Sequence, residues 1–203
     1  MRKLFLPAFA AASLLLMDFA LISPAHVDTY KLDTQTSSLE WKGEKLTGSH
    51  FGAIQFSSGT LSDNHGTVSG KFEADMQSIT VKDLEGESKT KLETHLKSAD
   101  FFDVQNFPKS SFAITALKPL GANAEGHTHA ISGNLTIKNK TNPVVFNAKF
   151  SEEPGKLRFT GAAKIDRSKF DVRYRSKSFF PDIGDKLIYD EFTLNFNVAL
   201  VKQ

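Results

Sequence analysis

The sequence predicts an all-β fold: an antiparallel up-and-down barrel of about eight strands with one short helix. Two observations carry that prediction. Apolar residues recur at every second position through most of the chain after residue 36. The segments between these runs are short Asn/Asp/Gly/Pro clusters, too short for the crossover that a parallel pair of strands requires.

Taken in order, the strands fall near residues 37–45, 51–61, 67–76, 110–118, 129–138, 143–151, 156–165 and 190–201. The first two show weaker alternation, in Leu39-Trp41-Gly43 and Ile54-Phe56. In the third, Val68, Gly70, Phe72, Ala74 and Met76 face one way, and Thr67, Ser69, Lys71, Glu73 and Asp75 face the other. Phe112-Ile114-Ala116, Ile131-Gly133-Leu135-Ile137, Val144-Phe146-Ala148-Phe150 and Leu157-Phe159-Gly161-Ala163-Ile165 continue the rhythm. The last strand is the clearest, with Phe192, Leu194, Phe196, Val198 and Leu200 on one face. Turn clusters at 63–66, 139–143 and 152–155 make sequential strands hairpin neighbours. Small residues sit among the large rings, notably Gly70, Ala74, Ala148, Gly161 and Ala163. They either make room for rings opposite or leave the interior unfilled, and packing logic alone does not choose.

Two segments break the rhythm. Within Ser88–Lys97, Thr90 and Glu93 have capping-box spacing and Leu92 and Leu96 fall one turn apart. A short helix here, followed by Phe101, Phe102, Val104 and Phe107, is placed to plug one end of a barrel. The second irregular segment, 167–184, carries Arg173, Arg175 and Lys177, which would project together if the backbone were extended. Those three are the candidate anion or headgroup site; the plainer reading is a solvated strand face.

At the N-terminus, Arg2 and Lys3 precede an apolar run from Leu4 to Leu16, and Ser23-Pro24-Ala25 supplies small residues before a cut at His26. This order describes a secretory signal peptide over residues 1–25, leaving one domain over 26–203. Asp18 within the apolar stretch argues against a membrane anchor. The remaining 178 residues carry a formal charge of +1, so the electrostatic basis for binding nucleic acid is missing. Without a single cysteine the chain can use neither disulfides nor thiolate chemistry. Of its 18 Phe, 15 follow residue 25, beside one Trp and three Tyr. That much ring area with few polar handles fits either a Phe-rich core or an apolar cavity.

Reactive constellations are scarce. No phosphate-binding glycine loop or nucleophile elbow occurs. Gly48-Ser49-His50 sets a serine beside a histidine with no assignable acid. His127 and His129 have the spacing of two metal ligands on one strand face, but a third ligand is not evident and loop histidines are commoner. Asp182 and Asp185 are explained by a turn around Gly184. No catalytic or metal-ligating residue is therefore assigned.

Four blocks of residues, in order, resemble the YceI-like family of lipid- or polyisoprenoid-binding proteins from Tyr30 to Val201. The most specific is His95-Leu96-Lys97-Ser98-Ala99-Asp100-Phe101-Phe102-Asp103-Val104 with Phe107-Pro108 and Ser111-Phe112 after it. The others are Leu32-Asp33 with Ser38-Leu39-Glu40-Trp41, Gly133-Asn134-Leu135-Thr136-Ile137, and Ile165-Asp166-Arg167-Ser168-Lys169-Phe170 leading to Asp190-Glu191-Phe192. Leu92 and Glu93 replace the family's frequent Arg-Asp pair, Lys97 replaces Arg, and Asp171 stands where Gly is common. The resemblance implies a lipocalin-like extended barrel in the bacterial periplasm, its lumen taking a polyprenyl phosphate or a quinone tail.

The expected wall of that lumen is Trp41, Ile54, Phe56, Phe72, Phe112, Ile114, Leu135, Phe146, Phe159, Phe192, Leu194 and Phe196, with Arg173, Arg175 and Lys177 as the headgroup clamp. The expected ligand is an isoprenoid lipid or quinone, without a separate cofactor; transient membrane contact and a homodimer stay open. Two rival readings differ in what they need. A barrel enzyme acting on a bound lipid needs a titratable pair in the lumen, and an outer-membrane barrel turns its apolar face outward.

Overall fold

The computed structural model describes residues 27–121 and 125–203; the expected signal peptide lies outside the described residues. Nine antiparallel strands form: β1 (Val27–Leu32), β2 (Ser38–Lys45), β3 (Gly48–Asn64), β4 (Thr67–Val81), β5 (Lys109–Pro119), β6 (His129–Ile137), β7 (Lys140–Glu153), β8 (Lys156–Asp166) and β9 (Glu191–Lys202). One α-helix, α1 (Gly86–Lys97), lies between β4 and β5. The strand order β1-β3-β2-β9-β8-β7-β6-β5-β4, with β3 also paired to β4, closes the sheet on itself.

Nine strands fill eight places. β1 pairs with Thr60–Asn64 of β3 and Leu200–Lys202 of β9. β2 pairs with the same two strands farther along, at Gly48–Ile54 and Thr193–Asn197. The two are thus successive halves of one barrel stave, broken by the turn at Asp33. The Asp33 carboxylate accepts from the Gln35 amide at 2.9 Å and the Thr36 hydroxyl at 2.7 Å. The ends of the break are held to β9, where Asp33 N donates to Ala199 O and Ala199 N donates to Ser37 Oγ, both at 2.9 Å. Sequence alternation missed β1 because it is six residues long and only Tyr30 and Leu32 are buried.

Hairpin chemistry follows the expected rules. Asn64 pairs with Thr67 across His65-Gly66, both at positive φ (51° and 87°), the signature of a type I′ turn. Ile137 pairs with Lys140 across Lys138-Asn139 (49° and 56°), which repeats the device. The polar run 140–143 is consequently strand, and the expected loop there shrinks to two residues.

The helix starts two residues before Ser88, and its expected capping box is not formed. Thr90 lies one turn into the helix and donates to Gly86 O at 3.2 Å, while the Glu93 carboxylate accepts from the Val81 amide at 2.9 Å. Glu93 therefore caps the end of β4 instead of the start of its own helix.

Two hydrophobic clusters stack along the barrel axis. At the end reached by the last residues of β4, β6 and β8, Ile79, Val81, Ile137 and Ile165 pack with Leu96, Phe101 and Val104 of the helical connection and Phe170 and Val172 of the β8–β9 connection. Tyr30, Leu61, Ile131, Leu157 and Leu200 fill the opposite end. The helix and its following turn thus plug the first end.

Glycine is sterically demanded at Gly52, whose Cβ position lies 1.8 Å from Thr80 O and 2.8 Å from the Trp41 ring. That close approach lets Trp41 Nε1 donate to Thr80 O at 3.1 Å. Gly52→Ala is expected to lower unfolding free energy by about 1–3 kcal/mol, measured by urea titration, because backbone must move to admit the methyl.

Candidate functional site: two apolar cavities in series

Between the two clusters the barrel holds a cavity of about 150 Å³. Ten of the twelve expected wall residues line it: Phe56, Phe72, Phe112, Ile114, Leu135, Phe146, Phe159, Phe192, Leu194 and Phe196. Trp41 lines a second cavity of about 120 Å³ instead, and Ile54 packs against the core near the plugged end, among the lining of neither cavity. Phe102 and Phe192 border both spaces, so the two cavities meet at these rings.

The rings are locked by local geometry. Phe146 contacts Phe112 and Phe196 with centroid separations of 5.4 and 5.2 Å, within the favourable range for tilted and edge-on pairs. The small inward residues divide into two roles. A Cβ at Gly161 would lie 2.9 Å from the Phe196 ring, so that glycine makes room for a ring. Ala74 and Ala163 border the cavity and leave space. Both readings of the small residues therefore hold, at different positions. Met76, Ile131 and Val198 also line the cavity and carried the period-two signal; Phe102 and Ser110 did not, because their placement depends on the helical connection and a strand end.

The second cavity lies under the helix and the β8–β9 connection, lined by Trp41, Glu44, Lys45, His50, Ile79, Leu92, His95, Phe101, Arg167, Ile188 and Tyr189. Arg167 is 2% exposed. Its Nε donates to Tyr189 O at 3.2 Å, Nη1 to Val172 O and Tyr174 O at 3.2 and 2.8 Å, and Nη2 to Ile188 O at 3.0 Å. Nη2 also lies 3.3 Å from Asp190 Oδ1, and the guanidinium carbon is 5.5 Å from the Phe101 ring centroid. Burial pulls the Arg167 pKa down, and the carboxylates of Asp190 and Asp166 oppose that pull. One cation thus gathers carbonyls from along the irregular β8–β9 connection, whose backbone has few ladder bonds of its own.

The expected clamp does not assemble as an extended face. Residues 171–180 fold into turns, with Val172 and Ser176 fully buried and Arg175 at φ 51°. Arg173 pairs with Asp171 and stacks over Phe179, Arg175 stacks over Tyr174, and Lys177 is exposed. None of the three is among the residues lining either cavity. Folding into turns removes the period-two projection that the clamp required.

The histidines and acids resolve into local pairs. His50 Nδ1 lies 2.8 Å from Asp83 Oδ2, an acid partner 33 residues away that sequence spacing concealed. Desolvation raises the Asp83 pKa, but hydrogen bonds from His50 and the Phe51 amide outweigh it and hold the carboxyl below its ordinary value. Ser49, the next strand residue, points to the opposite side of the sheet from His50. His129 opens β6, its Nδ1 2.9 Å from Thr128 Oγ1 and its ring edge-on to Phe150. His127 is ion-paired to Glu125 at 3.0 Å. Among the described residues, no three His, Cys, Asp or Glu side chains come together as a metal-binding group.

A closed antiparallel barrel around an apolar interior defines this molecule as a lipocalin-like barrel protein. The chain belongs to the YceI-like domain family, whose model matches residues 30–200. A UPF0312 protein of Pseudomonas putida strain W619 is 34% identical over 130 residues, which cover 61% of this chain. The match spans about six-tenths (62%) of that relative's length. Among solved structures, BcnA of Burkholderia cenocepacia superposes with a TM-score of 0.66 at 20% identity, covering 83% of this chain and 98% of that one. A polyisoprenoid binding domain from Saccharophagus degradans, described as implicated in plant cell wall breakdown, gives 0.61 at 9% identity, covering 86% and 98%. At these identities the two structures establish the shared fold.

Two stability outcomes follow from the charges around the cavities. Arg167→Leu is expected to cost about 3–5 kcal/mol in urea unfolding, because it strips partners from buried carbonyls and leaves Asp190 uncompensated. Glu73 lies between Lys71 at 2.8 Å and Lys109 at 2.9 Å, whose hydrogen bonds hold its pKa at about 2. Because the folded pKa is depressed, its stabilisation is complete above the ordinary value of 4.5 and fades as pH falls toward about 2. The stability gap between the wild-type chain and Glu73→Gln should therefore narrow across that window in a pH series of thermal melts.

Proposed function

We propose that this protein binds a long isoprenoid lipid inside the barrel and carries or sequesters it in the periplasm, without acting on it chemically. The observation that carries the reading is the interior itself: two adjoining cavities with almost wholly apolar walls, built from rings contributed by strands all around the barrel. Transfer of each methylene from water to such a wall is worth about 0.8 kcal/mol before ordering costs, so a polyprenyl chain needs no polar contact for affinity. Family membership and a structural neighbour described as polyisoprenoid-binding support the same ligand class. The N-terminal charge-apolar-small pattern supports export.

Binding without chemistry is the better reading because two of the titratable groups that border the cavities, His50 and Glu73, are tied to structural partners. His50 is paired with Asp83, and Glu73 with two lysines. No serine or other nucleophile shares the face of the His50–Asp83 pair along β3, since Ser49 is on the other side.

The test is mass spectrometry of lipid extracted from the chain purified without detergent, together with titration by polyprenyl lipids and quinones. Co-purified or added isoprenoid is expected to bind at about one per chain; a clean protein that ignores all of them overturns the proposal. Phe72→Arg and Phe196→Arg are expected to abolish loading, since each would put a guanidinium into the apolar wall. A folded variant that loads normally would show that the ligand lies elsewhere.

A further inference from the structure

The exposed apolar side chains are not spread evenly over the barrel. Among the described residues seven large ones stand exposed, and four of them, Leu46, Phe51, Phe180 and Tyr189, belong to the β2–β3 hairpin or the β8–β9 connection. Single exposed apolar residues are ordinary, but their concentration at one rim marks a surface that something covers. Leu46 is 56% exposed in the two-residue turn that joins Lys45 to Gly48. Turns of this length favour Asn, Asp or Gly, so the leucine has no local reason to be there.

Backbone bonds fix the positions of these residues. The Phe51 amide donates to Asp83 Oδ1 at 3.0 Å, and its carbonyl accepts from the Lys82 amide at 2.9 Å. Phe51 lies on the opposite sheet face from His50, which lines the second cavity. The Tyr189 amide donates to Glu44 O at 2.9 Å, and its own carbonyl accepts from Arg167 Nε at 3.2 Å. A bridge between Lys45 and Ile188 sets the connection alongside the hairpin.

The second cavity opens at the same rim. Three of its lining residues are exposed, Glu44, Lys45 and Tyr189, and all three belong to the hairpin or the connection. Positive charge collects there too. Residues 42–51 and 167–190 together hold eight Lys or Arg against five Asp or Glu, a formal +3, whereas the whole chain carries +2. Lys42 is paired with Glu44. Lys45 and Lys186 are exposed and, among the described residues, no acidic side chain pairs with either. Leucine, phenylalanine and tyrosine flanked by lysines suit the headgroup layer of a bilayer, where apolar groups enter and ammonium groups meet lipid phosphates. A second copy of the chain suits the rim less well, since two positive rims brought face to face would repel.

Building on the proposed binding of an isoprenoid, we propose that this rim docks on the surface of a bilayer containing anionic lipids. Leu46, Phe51 and Tyr189 enter the headgroup layer, and Lys45 and Lys186 face lipid phosphates. The mouth of the second cavity then lies against the membrane that supplies its ligand.

The test is co-sedimentation of the chain with vesicles of phosphatidylcholine, with and without phosphatidylglycerol, across a salt series. Binding is expected to the anionic vesicles and is expected to weaken as salt rises. Lys45→Gln should weaken it about 5-fold at low salt. Leu46→Ser combined with Phe51→Ser should weaken it about 10-fold or more. Val145→Ser, at an exposed position on the barrel wall, is the control and should leave it unchanged. Neither Leu46 nor Phe51 lines a cavity. The double variant should therefore load squalene from a detergent-free dispersion as the wild-type chain does, and take it up more slowly from vesicles. Thermal melts check folding; if the double variant is not folded, Lys45→Gln and the salt series decide. No binding to anionic vesicles, equal binding to neutral ones, or undiminished binding by the folded rim variants overturns the docking. Self-association without vesicle binding, lost in the same variants, would put a second copy on the rim and overturns it as well. If docking fails while squalene still loads, the isoprenoid reading stands; if the rim binds vesicles as expected and no isoprenoid loads, that reading alone falls.

Discussion

The constraint on which everything else rests is ring closure. Once β3 pairs with β4, the ladder running round the barrel has no free edge, and every inward side chain has only other inward side chains for company. Closure demands a stave between β3 and β9 along the whole barrel, and neither β1 nor β2 is long enough to provide it. The chain solves this by setting them end to end and tying the break to Ala199. β3, at 17 residues, spans both halves and bends through two irregularities of register against β4.

From closure follows the problem of filling. Eight staves with alternating inward rings enclose more space than those rings occupy, and the two ends solve it differently. One end is filled by strand residues themselves. The other is filled by two connections, the α1 segment and the β8–β9 segment, whose Leu96, Phe101, Phe170 and Val172 are carried in from outside the sheet. A plug made of connections needs its own backbone order, and Arg167 provides it by collecting carbonyls that no strand can reach. A charge so deep in the protein is expensive to place, and here it is compensated by nearly ideal coordination.

How much of this was legible in the sequence depends on range. Period two is a local property, so eight strand positions and most of the cavity wall could be read from residues two apart. β1 was lost because two buried residues make too short a pattern. The pairing of His50 with Asp83, the carbonyl cluster around Arg167 and the position of Phe102 between the cavities are set by contacts across connections, and no spacing rule encodes them. The Thr90–Glu93 pair shows the reverse failure: the spacing was right for a capping box, but the Val81 amide at the end of β4 was a competing donor that sequence could not place. Arg173, Arg175 and Lys177 failed for a related reason, since alternation has meaning only on an extended backbone, and burial of Val172 and Ser176 coils this one.

The turned backbone of 171–180 leaves no extended basic face in this segment. A basic trio on an extended face would have drawn a phosphate by charge, at the surface, with screening by salt. Instead the basic side chains of that segment serve the fold: Arg173 and Arg175 cover Phe179 and Tyr174, and Arg167 organises the plug. Two buried polar atoms without a hydrogen-bond partner, His95 Nε2 and Ser110 Oγ, belong to residues that line the cavities. Burying an unpaired charge against the rings of the larger cavity would cost more than one added hydrogen bond returns.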